Sequence, residues 1–260
     1  MIASLNLIWR LPLLMIHVVS GLIQELVYFI VYGKLWHQNE AGRDAIQRWM
    51  KRLCQILGLK VSTSGTPKPY FGTLIVANHI SWLDIIALAS IRHATFMAKS
   101  EVKGWPVFGL LTQASGTLFI ERHNKSALLK AIDAISELLE KGKTVVIFPE
   151  GTTTDGKSVE PFFSGLFNAA KQTHCLVQPV AISYTRDQQR DDIAPYTLKD
   201  NFVIHLLRIM QQDSTHIHFD FLAKIRPQSY TRSELANTTR ARIRQSLTEP
   251  FENDFIDNSE

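Results

Sequence analysis

After Gly58 the chain alternates short β-branched runs with segments of helical periodicity, and this alternation most limits the folds open to it. Such a pattern builds a sheet with helices packed on its faces, because returning to start a parallel strand takes a crossover long enough to form a helix. Strands are expected over 59–63, 73–77, 94–98, 117–120, 144–148, 177–184 and 216–225. Helices are expected near 82–90, 126–141, 163–173, 199–212 and 233–247, the second of these capped by Asn124 and closed by Gly142. The fold class is therefore α/β, a single mixed-sheet domain over 58–250 flanked by helices.

Residues 1–57 read differently, as a membrane-associating helical segment. From Leu5 to Trp36 the chain is strongly apolar, interrupted by Arg10, Pro12, His17, Gln24 and Glu25, without the small-residue cleavage site of a signal peptide. The uninterrupted run from Leu11 to Ile23 is shorter than the roughly 20 apolar residues of a spanning helix. One or two helices lying in one leaflet are expected, with a true span as the alternative. Residues 43–57 then place Ile46, Trp49, Met50, Leu53, Ile56 and Leu57 at helical spacing beside Arg43, Arg48, Lys51 and Arg52. That is the pattern of an interfacial anchor, and equally of a surface helix packed on a core.

Charge and cysteine content narrow the partners. The formal charge is +4, yet Glu252, Asp254, Asp257 and Glu260 put four negative groups into an acidic tail, 251–260, expected to be disordered. The remainder is correspondingly more basic, which suits an anionic membrane surface or carrier. No Arg/Lys stripe interleaves with aromatics, so no nucleic acid partner is expected. Cys54 and Cys175 lack the paired spacing of a metal knuckle or disulfide framework, and they fit a reducing, cytosol-facing compartment.

The chemistry concentrates where the apolar strand LIVA runs into Asn78-His79, turns through Ile80-Ser81 and starts a helix. A His at such a strand end projects into the crevice where open α/β sheets hold ligands. Asp84, in the first helical turn, can fold back onto the imidazole, fix its tautomer and leave the second ring nitrogen free to take a proton. An isolated H-x-x-x-x-D is common by chance, and a first-turn Asp is favoured by the helix dipole alone. No G-x-S-x-G elbow and no Cys beside a His supplies a nucleophile, which leaves a substrate hydroxyl as the attacking group.

The company of that motif carries a resemblance. Asn78-His79-Ile80-Ser81-Trp82-Leu83-Asp84, then Gly116-Thr117-Leu118-Phe119-Ile120-Glu121-Arg122, then Phe148-Pro149-Glu150-Gly151-Thr152, then Val177-Gln178-Pro179-Val180-Ala181-Ile182 match in order the four blocks of the glycerolipid lysophospholipid acyltransferase family. The 1-acylglycerol-3-phosphate acyltransferases belong to that family. The resemblance implies His79 as general base and Asp84 as its partner. It further implies Arg122 and the turn of Glu150, Gly151 and Thr152, with Asn78 and Thr153 beside them, as the residues that bind the acyl acceptor. Many members acting on lysophosphatidic acid carry Arg where this chain has Thr153, and the EGTTTDG form resembles the branch that acylates lyso-ornithine lipid. A charged fork is thus missing from the position where a bare phosphomonoester would use it.

The expected reaction is transfer of a fatty acyl group from acyl-CoA or acyl carrier protein to a lysolipid hydroxyl, at the cytoplasmic face of the membrane, with no metal and no cofactor beyond that co-substrate. Three alternatives stay open: another lysolipid such as lyso-ornithine lipid as acceptor, water as acceptor in a thioesterase, and a non-catalytic lipid-binding protein. Elsewhere, His216 and His218 share a strand face without a third ligand, His174 stands beside Cys175, and Asp133, Glu137, Glu140 and Lys141 read as solvated.

Overall fold

A computed structural model describes residues 2–33, 36–65, 71–100, 112, 116–120, 125–197 and 199–248. In chain order the elements are α1 (Ile2–Tyr32), α2 (Glu40–Leu57), β1 (Leu59–Gly65), β2 (Thr73–Ala77), α3 (Leu83–Ile91), β3 (Thr95–Lys99) and β4 (Leu118–Ile120). There follow α4 (Lys125–Glu140), β5 (Thr144–Ile147), α5 (Phe167–Thr173), β6 (Leu176–Arg186), β7 (Gln189–Arg190), α6 (Phe202–Gln211), β8 (Thr215–Phe221) and α7 (Arg232–Thr248).

The strands form one mixed sheet in the order β1-β8-β6-β2-β5-β3-β4, with β7 as a hairpin on β6. β2 pairs in parallel with β5 on one side and β6 on the other, whereas β6 and β8 are antiparallel. From β2 the chain moves to one side of the sheet for β3, β4 and β5, and then crosses to the other side for β6. The C-terminal end of β2 is therefore the point where strand order reverses, the place such sheets offer to a ligand.

β2 is apolar at every position after Thr73 because both its faces are covered. Ile75 and Ala77 join a core with α2, α3 and one flank of α1. Leu74 and Val76 join a second core with α4, α5 and α7. β8 alternates instead: Ile217, Phe219 and Phe221 point inward, and His216, His218 and Asp220 are half-buried on the other face. That polar face is not merely solvated. His218 lies 2.9 Å from both Ser62 Oγ and Ser64 Oγ of β1, and Asp220 accepts from Ser64 and, across to α7, from Ser246.

Several boundaries shift for local reasons. β6 runs on to Arg186 because Asp187 and Gln188, both at positive φ, turn the chain into β7. β8 stops at Phe221, beyond which the N–H of Leu222 donates to the carbonyl of Pro179 and Ile225 bridges back to Val177. Residues 164–166 form a 3₁₀ turn ahead of α5. Gly142, at φ 75°, closes α4 as the pattern indicates, while Asn124 lies outside the described residues.

At the N-terminus the expectation of one or two helices resolves to one, continuous through Pro12. By length and composition α1 is able to cross a membrane. Its inner flank is nonetheless tied to the domain at several levels. Arg10 donates to the carbonyls of Met210, Gln212 and Asp213, Leu14 is buried in the core, and His17 stacks on Trp49 with ring centroids 4.4 Å apart. The outer flank exposes Ile8, Met15, Ile16, Ile23, Leu26 and Ile30 among others. α2 turns Ala45, Leu53, Cys54 and Leu57 into the core, so its apolar stripe packs as a surface helix and leaves Arg48, Lys51 and Arg52 to solvent. Asn39 caps its start through the N–H of Gly42, and Gly58, at φ 74°, ends it.

Candidate active site

β2 ends at Ala77, and the next five residues make a tight turn into α3. Asn78 fixes the first step: its amide donates to the carbonyl of Ile182 at 3.0 Å and its oxygen accepts from the N–H of the same residue at 2.8 Å, clasping β6. His79 follows with its side chain 15% exposed, while Asp84 is fully buried. Asp84 Oδ2 lies 2.8 Å from His79 Nδ1 and also accepts from the N–H groups of Ile80 at 2.8 Å and Ser81 at 3.1 Å. Accepting from two backbone donors fixes the orientation of the carboxylate. Nδ1 then carries the imidazole hydrogen, and Nε2, which has no hydrogen-bond partner among the described residues, presents its lone pair.

Two further groups hold this pair. The hydroxyl of Tyr184, on β6, donates to Asp84 Oδ1, and burial pushes the Tyr184 phenol well above its ordinary pKa, with the Asp84 charge adding to the effect. Phe148, at the end of β5, stacks on the His79 ring with centroids 4.1 Å apart and planes 18° from parallel. The imidazole is thus set by a hydrogen bond in its plane and by a ring against its face.

Glu150 closes the arrangement from the neighbouring strand. Oε1 accepts from the N–H of His79 at 2.7 Å and Oε2 from the N–H of Glu160 at 2.8 Å. Burial raises its pKa to about 7, against the pull of those two donors. Thr154 adds a second tie, its N–H donating to the carbonyl of His79 at 2.9 Å. Gly151 sits at φ 75° as its N–H closes a turn onto Phe148, a conformation that suits glycine.

Residues 59–183 match the acyltransferase family. The chain is 39% identical over 199 residues to a lyso-ornithine lipid O-acyltransferase of Pseudomonas aeruginosa, covering 76% of each protein. The chain belongs to the acyltransferase family. A 1-acyl-sn-glycerol-3-phosphate acyltransferase of Neisseria meningitidis is 34% identical over 166 residues, 64% of this acyltransferase and 65% of that one. In fold, the acyltransferase matches the crystal structure of the 1-acyl-sn-glycerophosphate acyltransferase from Thermotoga maritima with a TM-score of 0.69 over 94% of each chain, at 19% identity.

Against this geometry the residues singled out from the sequence divide. His79 and Asp84 are brought together across one turn. Asn78 and Glu150, read as substrate-binding, face inward instead: Asn78 is 3% exposed, Glu150 is 4% exposed, and each spends its polar atoms on backbone partners. In this acyltransferase both brace the turn that carries His79. Gly151, Thr152 and Thr153 are half-exposed beside them. Arg122 lies outside the described residues. No local sequence signal marks Tyr184, which stands a hundred residues from Asp84; the pairing of Ala77 with Val180 brings the end of β6 alongside the turn. Among the described residues no group of three or more His, Cys, Asp or Glu side chains is placed to hold a metal ion. The arrangement is able to accept a proton at Nε2 and to stabilise the imidazolium that results.

Proposed function

We propose that this acyltransferase moves a fatty acyl group from a thioester, acyl-CoA or acyl carrier protein, onto the free hydroxyl of a lysolipid in membrane lipid biosynthesis. The single observation behind it is the His79–Asp84 pair at 2.8 Å, with Nε2 unbonded among the described residues and the ring part-exposed. In this reading Nε2 takes the hydroxyl proton as the oxygen attacks the thioester carbonyl. The C–O bond forms, the C–S bond breaks, and the proton passes from the imidazolium to the departing thiolate. General-base help of this kind supplies roughly 10²–10⁴ in rate, with backbone N–H groups stabilising the oxyanion.

Lyso-ornithine lipid is the acceptor favoured here. Proteins from Pseudomonas aeruginosa and Rhizobium meliloti named as its O-acyltransferases resemble the chain over 76% and 83% of its length. Thr153 points the same way, since it offers a hydroxyl where a phosphomonoester would profit from a guanidinium. A second reading, 1-acyl-sn-glycerol-3-phosphate, is supported by the Neisseria relative, and Arg122 is carried in both as the cation for an acidic headgroup. α1 is read as lying in the cytoplasmic leaflet, because its ties along α2 and α6 would drag Arg52 and Asp213 into hydrocarbon if it spanned.

The test is a panel of lyso-ornithine lipid, lysophosphatidic acid and lysophosphatidylcholine in vesicles, assayed with each donor and separated by thin-layer chromatography. Diacyl product, most abundant with lyso-ornithine lipid, is the expected result. Free fatty acid as the sole product would make the protein a thioesterase.

A further inference from the structure

α6 departs from the ordinary pattern of a surface helix. Asn201 caps its start, accepting from the N–H groups of Val203 at 3.0 Å and Ile204 at 3.2 Å, and His205, Ile209 and Met210 face the core. The outward side of its first turn is apolar all the same, with Val203 59% and Ile204 58% exposed. Single exposed aliphatics need no explanation, but two neighbours on one turn ask what covers them.

Two sets of contacts answer for their position. At its C-terminal end α6 is joined to α1, where Asn6 reaches Asp213 Oδ1 at 2.8 Å and Arg10 binds the carbonyls of Met210 and Gln212. At its N-terminal end it is joined to the catalytic turn. Phe202 packs edge-on against Trp82 at 5.2 Å, and Trp82 donates its indole N–H to His205 Nδ1 at 3.0 Å. Nearby, the N–H of Tyr196 donates to the carbonyl of Ile80 at 3.0 Å. α6 thus bridges the apolar helix α1 and the turn that holds His79. Lys199 and Arg208, exposed at either side of the two aliphatics, are the long cations that settle at headgroup level when an apolar helix face meets a bilayer.

We propose that α6 is a second bilayer contact, with Val203 and Ile204 lying in the leaflet that α1 occupies, so that a lipid hydroxyl reaches His79 past α6. The proposal rests on the reading of the chain as a lysolipid acyltransferase. It adds a contact point that neither α1 nor the family motifs contain.

Two measurements test it. In full-length Cys175→Ser protein, a nitroxide attached at Ile204→Cys is compared with one at Glu140→Cys, on a helix of the opposite sheet face. With phosphatidylcholine–phosphatidylglycerol vesicles, the label at 204 should gain collisions with oxygen and lose them with a water-soluble nickel chelate, while the label at 140 stays unchanged. In the second measurement, Val203→Ser/Ile204→Ser should lower kcat/KM for a long-chain lysolipid in vesicles about 10-fold and leave a short-chain, monomeric lysolipid unaffected. A label at 204 as open to the chelate with vesicles as without them, or an equal loss on both substrates, overturns the proposal. The labelling arm needs no turnover, so failure of the acyl-transfer reading would show separately, as a wild type inactive on both substrates.

Discussion

The turns that follow β2 and β5 leave the same edge of the sheet from neighbouring strands, yet they direct their polar side chains in opposite ways. After β2 the imidazole of His79 is part-exposed, with Nε2 unbonded among the described residues, and is supported from beneath by a fully buried carboxylate. After β5 the carboxylate of Glu150 points in and both its oxygens are taken by backbone N–H groups, one of them that of His79 itself. One turn presents a part-exposed imidazole and the other supplies the brace for it. Membership of a sequence motif therefore does not decide a residue's task; burial and the partners it has already satisfied do.

Breaking the support under the outward turn should have the largest effect. In Asp84→Asn the amide cannot accept from every donor that now surrounds the carboxylate, and the imidazole loses its tautomer. Acyl transfer should fall about 10³-fold or more while the secondary structure by circular dichroism is retained. Retention of more than a third of the rate would separate Asp84 from the chemistry.

Breaking the inward brace should act on stability as well as on rate. Glu150→Gln keeps one acceptor and sets an NH₂ against the other donor, costing roughly 1–3 kcal/mol in chemical denaturation. The variant also sharpens the comparison through pH. The folded state holds the Glu150 proton at about 7, above the 4.5 of an ordinary glutamate, so this group's contribution is fully present below pH 4.5 and lost as pH rises through 7. Unfolding free energy of the wild type should decline over that range relative to Glu150→Gln by roughly 2–3 kcal/mol. Parallel profiles would mean that Glu150 is ionised throughout.

The smallest change is expected from Tyr184→Phe, which removes one donor to Asp84 and leaves the ring in place. A bond to a charged group contributes about 1.5–3 kcal/mol, and kcat should drop about 10-fold with KM unchanged. A loss of stability with kcat unmoved would make Tyr184 structural only.

Much of this fold was legible because local signals agreed with one another. The LIVA run reads as a strand buried on both faces, and 83–91 reads as a helix beginning at a tight turn, so the His79–Asp84 pairing needs only six residues of chain to be inferred. What lay hidden depends on contacts distant in sequence. Neither Asn78 nor Glu150 carries a mark of which way it faces; that is settled by Ile182 on β6 and by Glu160 across the loop. Tyr184 is brought to Asp84 only by strand pairing. α2 shows the same limit, since a basic amphipathic stripe suits a bilayer or a core equally, and the packing of Leu53, Cys54 and Leu57 decides for the core.

The most direct measurement is the single-turnover rate of acyl transfer to lysolipid by purified His79→Ala, compared with wild type at equal vesicle concentration. With Nε2 as the base, the rate should fall at least about 10²-fold while the melting midpoint stays within a few degrees. A variant that kept more than about a tenth of the wild-type rate would show that the hydroxyl proton leaves by another route.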